Sequence, residues 1–96
     1  MLNSSLYESI ADILLSNSLS SIANKLGSDA YKKSKFALNR GYRKDHSEAV
    51  KACITARNAH EKAELDNKDS QLGEFHNKEK KVFEGLIAKH TQQSIN

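Results

Sequence analysis

The sequence predicts an all-α fold, a small antiparallel bundle of four to five helices forming one domain over residues 1–96. Three observations predict it. Apolar residues recur at steps of three and four wherever the spacing is readable: Leu6, Ile10 and Ile13 or Leu14, then Leu15, Leu19, Ile22 and Leu26. No stretch of four or more residues alternates apolar and polar side chains with β-branched enrichment, so strands find no support. Proline is absent, so no helix is broken by ring sterics, and turns fall to Gly, Asn, Asp and Ser.

The first helical segment has Ser4 or Ser5 as N-cap candidates, with Glu8 in its first turn to oppose the helix dipole. Ser16-Asn17-Ser18 is a candidate kink, because these side chains compete for backbone groups. A break is expected at Leu26-Gly27-Ser28-Asp29, with Gly27 as left-handed cap and Ser28 or Asp29 as N-cap of the next helix. Against it stands one stripe, Leu19, Ile22, Leu26, Ala30, Ser34, Ala37 and Gly41, which a single long helix also produces. The segment 1–26 exposes leucines on two adjacent stripes, more than a small bundle covers. It is therefore expected to mediate self-association into a homo-oligomer through Leu6, Ile10, Leu14, Leu15 and Leu19.

The next helix, over 29–43, presents the small residues Ala30, Ser34, Ala37 and Gly41, flanked by Tyr31, Leu38 and Tyr42. A turn is expected near Arg43–His46. The helix over 46–65 carries Ala49, Cys53, Ala56, His60 and Ala63 on one stripe, with Val50, Ile54 and Leu65 beside it. Asp66–Ser70 is the next turn. The last helix places Leu72, Phe75, Val82, Phe83, Leu86 and Ile87 on one face and frays through Thr91–Asn96. Loops this short favour antiparallel neighbours.

Composition narrows the class further. With 38% hydrophobic and 28% charged residues the chain is ordinary globular material, and its six aromatics without Trp imply a core of Leu, Ile and Ala. The single cysteine, Cys53, excludes an internal disulfide and any paired-cysteine zinc motif. Leu2–Leu15 carries Glu8 and Asp12, unlike a signal peptide, and the longest apolar run is Ile13-Leu14-Leu15, far short of a transmembrane segment. A cytoplasmic protein is expected.

The net charge of +3 hides an asymmetry: residues 25–44 hold seven bases against one acid, Asp29. On a helical projection Lys25, Lys32, Lys33, Arg40, Arg43 and Lys44 fall within an arc of roughly 120°, opposite Tyr31, Leu38 and Tyr42. Phe36 sits in the middle of that arc. A solvated basic face, with Phe36 covered by the N-terminal helix, accounts for the pattern without function. The functional expectation is a docking surface made of Lys32, Lys33, Phe36, Arg40, Arg43 and Lys44. An acidic or helical protein can anchor on such a ring, with the cations steering encounter. A nucleic acid is the alternative, with a base stacked on the ring and phosphates on the cations.

Catalytic and metal patterns are missing. His46, His60, His76 and His90 include no pair three or four residues apart, where one helix face could offer both to a metal. His60 reads as a core-edge histidine satisfied by Glu64, and Cys53 as a small buried hydrophobe. There is no ExxH di-iron motif, no glycine-rich phosphate loop, and no calcium loop around Asn67–Ser70. No cofactor and no enzymatic activity are expected.

Ala37-Leu38-Asn39-Arg40-Gly41-Tyr42, then Asp45-His46-Ser47-Glu48-Ala49-Val50, then Ala52-Cys53 and Ala56, resemble a known helical hairpin. The stretch is similar to the first two helices of MIT (microtubule-interacting and trafficking) domains and to single tetratricopeptide units, over about a third of the chain. In those families a helix ends near Gly, and an aromatic-x-Glu-Ala-aliphatic run opens the next. His46 stands where they prefer Tyr, Val50 where they prefer Leu or Ile, and their first-helix Asp has no clear counterpart. The resemblance implies a non-enzymatic adaptor gripping a partner helix in a groove. A similarity to the small helical domain beside Smr nuclease domains implies RNA instead.

Overall fold

Residues 18–95, the part of the chain described by the structure (a computed structural model), form three helices. α1 spans Ser18–Arg40, α2 Arg43–Asp66 and α3 Gln71–Ile95. Among the described residues the fold is all-α, with three helices where four to five were expected. The expected caps at Ser4 or Ser5, and the apolar stripe Leu6–Leu14, lie outside the described residues. The break expected at Leu26–Asp29 does not occur, because α1 runs through it. A mid-helix Gly costs about 1 kcal/mol against Ala. Here the missing Cβ faces the buried His60 ring, so close packing offsets that loss.

The real end of α1 is set by Gly41, whose φ of +75° is a left-handed cap that an L side chain adopts only with strain. Its N–H donates to the Ala37 carbonyl at 2.8 Å. Tyr42 is extended, and its carbonyl accepts from the His46 N–H at 3.1 Å. The chain thus re-enters helix at Arg43, ahead of the expected turn. Asp45 in the first turn complements the dipole.

The second turn falls where the polar run places it. The Asn67 amide donates from Nδ2 to the Ala63 carbonyl at 2.7 Å, closing α2. The Ser70 hydroxyl oxygen accepts from the Gly73 N–H at 3.1 Å, a serine N-cap for α3. Asp69, with φ 60°, occupies the left-handed region that Asp tolerates. α3 continues to Ile95 rather than fraying at Thr91.

Side-chain size then decides the packing. The buried face of α1 is Ser20, Ala23, Gly27, Ala30, Ser34 and Ala37, and that of α2 alternates alanines with His46, Cys53 and His60. Small residues on both helices let their axes approach closely. α3 supplies the bulk through Leu72, Phe75, His76, Phe83 and His90, all buried. Phe83 is completely buried against Ala30, Cys53 and Ala56, with Leu26, Leu86 and Ile87 packed around that cluster. Val82, expected on the apolar face, is 45% exposed, and the histidines take its place in the core. Ile54 and Leu65 also point outward.

These buried positions repeat every seven residues, which is two turns and one coiled-coil period. Ser20, Gly27 and Ser34 on α1 meet His76, Phe83 and His90 on α3, while His60, Cys53 and His46 answer from α2 in reverse order. α1 and α3 run parallel with one offset: Ser20 bonds His76 and Ser34 bonds His90, each 56 residues on. The result is a polar layer, an apolar layer and a second polar layer along the bundle axis.

Candidate functional site

α1 places Lys32, Lys33 and Phe36 beside the start of α2, where they line a cleft of about 390 Å³ with Asp45 and Glu48. Phe36 is 50% exposed. The Arg40 guanidinium lies 4.9 Å from the Phe36 ring centre and 4.8 Å from that of Tyr42, so one cation bridges two aromatic faces. Arg40 Nε also approaches Asp45 Oδ2 at 3.3 Å, a charge contact without hydrogen-bond alignment. Glu48 pairs with Lys51 at 3.6 Å on the exposed surface.

The six expected docking residues are therefore not one helical arc. Lys32, Lys33, Phe36 and Arg40 share α1. Arg43 and Lys44 open α2 beyond the Gly41 turn and do not line the cleft. Tyr42 was expected opposite the cations, yet it stacks on Arg40, because the left-handed Gly41 redirects the chain. Of the self-association residues, Leu6, Ile10, Leu14 and Leu15 lie outside the described residues. Leu19 is 38% exposed, and Ile22 beside it 51%.

Of the buried histidines only His60 was expected at the core edge; the pairing of all four was not expected from the sequence. His76 Nε2 stands 2.8 Å from Ser20 Oγ, and His76 Nδ1 stands 2.7 Å from His60 Nδ1. Two heptads away the arrangement repeats: His90 Nε2 is 2.6 Å from Ser34 Oγ, and His90 Nδ1 is 2.7 Å from His46 Nδ1. Every member is at most 4% exposed. Each Nδ1···Nδ1 contact needs a single bridging hydrogen, so one ring donates and the other accepts. His60 is thus satisfied by His76 and not by Glu64, whose carboxylate instead accepts from Asn77 and Lys80, at 2.9 Å each. The readable signal is the spacing of 14 residues from His46 to His60 and from His76 to His90, which returns each pair to one helix face.

Burial dominates the electrostatics of these layers. It pushes His60 down to about 4, helped by His76. It pushes His76 down to about 4 as well, against a smaller upward pull from Glu64. His90 is lowered by burial, then by His46 and Lys89. Between the layers, the buried Cys53 thiol is raised by desolvation. The Tyr31 hydroxyl donates to Glu79 Oε1 at 3.0 Å, and burial raises both groups.

His60, Gly27, Tyr31 and Glu79 also line a small cleft of about 300 Å³ between α1 and α3. A Cβ on Gly27 would lie 3.0 Å from His60 Nε2 and 3.5 Å from the Phe83 ring, so this glycine makes room for both rings. Among the described residues, no group of three or more His, Cys, Asp or Glu is placed to hold a metal ion. None of the described helices is long and apolar enough to cross a membrane. Comparison with protein-family models, with curated proteins and with solved structures finds no match to this chain.

Proposed function

We propose that this chain is a non-enzymatic helical interaction module that docks an acidic, helical protein partner on the cleft around Phe36. The observation that carries the reading is the half-exposed Phe36 ring, held against Arg40 and flanked by Lys32 and Lys33. An aromatic anchor beside cations suits an amphipathic helix whose apolar residue enters the cleft and whose carboxylates meet the lysines. The likeness of residues 37–56 to MIT and tetratricopeptide hairpins supports the same class.

Self-association belongs to the same reading, with exposed Leu19 and Ile22 as its described contribution. Light scattering over a range of protein concentrations tests it, and a monomeric mass throughout removes it.

Docking is tested by fluorescence anisotropy with a labelled amphipathic helical peptide carrying Glu on one face and Leu on the other. Random RNA and DNA oligonucleotides run in parallel at two salt concentrations. Peptide binding that is lost in a Phe36→Ala/Arg40→Ala variant is the expected result. Steeply salt-dependent oligonucleotide binding, lost in the same variant, transfers the surface to nucleic acid. Equal binding by the native and variant chains rejects the Phe36 face altogether.

A further inference from the structure

The two Ser–His–His layers do more than fill the core, because their hydrogen count limits how many protons they can hold. In the neutral layer one hydrogen lies between the Nδ1 atoms of His60 and His76, which are 2.7 Å apart. A first added proton is accommodated. His76 becomes an imidazolium that donates from Nε2 to Ser20 Oγ and from Nδ1 to His60 Nδ1, and only the serine hydroxyl turns. A second proton has no such place. It sets two Nδ1–H groups head to head and brings two positive rings together in a site at most 1% exposed. The layer of Ser34, His46 and His90 has the same contacts, at 2.6 and 2.7 Å, and the same limit.

We propose that the two Ser–His–His layers are acid-operated latches: each stays closed with at most one added proton, and a second proton forces its rings apart and frees α3 from the α1–α2 hairpin. α3 is the helix released, because His76 and His90 bond to α1 and to α2 at the same time.

The charged groups around the layers leave this logic intact. Near the first, α2 offers Glu64, already held by Lys80, and α3 offers Glu79, held by Tyr31 of α1; Lys32 of α1 lines the His60 cleft. Near the second, Lys89 of α3 opposes protonation of His90, and Asp45 of α2, next to His46 in the chain, is paired with Arg40 of α1 at 3.3 Å. The direction is fixed by linkage. His60 and His76 are neutral when folded, with values near 4 against 6.5 in the open chain, so the open chain binds more protons between those limits. The closed bundle is unpenalised above about pH 6.5 and loses stability as pH falls toward 4.

The test is an acid titration of the full chain, following imidazole ¹⁵N shifts, backbone amide dispersion and helical circular dichroism together. The expected result is that dispersion persists into mild acid and is then lost steeply, with uptake of more than one proton per layer. Histidines that each titrate near their ordinary value with dispersion intact overturn the proposal. A Ser20→Ala/His60→Leu/His76→Leu variant is expected to open about one pH unit lower. An unchanged midpoint in that variant, or a transition abolished by Glu79→Gln, assigns the acid response to carboxylates and also overturns it. If the triple variant does not fold, the native chain's own ¹⁵N titration decides.

Discussion

The Nδ1 atoms of His46 and His90 stand 2.7 Å apart in the core, the same separation that joins His60 to His76 at the other polar layer. Neither ring of either pair is satisfied without the other. His46→Leu alone leaves His90 with a buried, unpartnered nitrogen and is expected to cost about 2–3 kcal/mol. The His46→Leu/His90→Leu double variant is expected to cost less than the sum of the two single changes. Denaturant unfolding of all four chains gives the coupling. Strict additivity refutes the pairing.

Gly27 sits opposite His60 and Phe83 in the tight middle of α1. On an exposed helix surface Gly→Ala gains about 1 kcal/mol. Here the added Cβ meets His60 Nε2 at 3.0 Å, and the ring cannot retreat without loosening its bond to His76. Gly27→Ala is therefore expected to lower stability by about 1 kcal/mol, measured as a lower urea midpoint. A raised midpoint shows that the ring has room to move.

Cys53 is fully buried between the two polar layers, and desolvation raises its thiol. Reaction with a thiol reagent at neutral pH then requires the bundle to open. Labelling of the native chain is expected to be at least about a hundredfold slower than in denaturant, and to respond to stabilising or destabilising variants elsewhere in the bundle. Rapid labelling under native conditions contradicts the closed apolar layer.

Phe36 contributes little to the fold because half of it is already in solvent. Phe36→Ala forfeits its contact with Arg40 and is expected to cost about 1 kcal/mol or less. Thermal melting is the check. A loss of several kcal/mol would make Phe36 a structural residue and withdraw it as a docking anchor.

How much of this was legible in the sequence differs from residue to residue. Ala49, Cys53, Ala56, His60 and Ala63 read as one stripe at helical spacing, and all are buried. The polar run before Gln71 reads as a turn and is one, since Asn67 and Ser70 supply caps that need only local geometry. Gly27 misleads, because a mid-helix glycine and a helix-ending glycine look alike until the ring packed against it is known. The Phe36 cleft was half legible: its cations belong to one segment, while Asp45 and Glu48 on its far wall come from the next helix.

By itself the sequence determined what depends on local chemistry: helical class, the small-residue faces of α1 and α2, the second turn and the basic stretch before Asp45. Only the tertiary structure decided which side chains meet. His60 reads on the α2 stripe, but the four histidines are far apart along the chain and hydropathy scales class them as polar, so no local rule pairs them in a core. Register does so instead. Two parallel helices offset by 56 residues bring each serine to a histidine, and the antiparallel helix between them closes each layer with a second ring. Buried polar atoms must find partners, and here the partners exist only once all three helices are aligned.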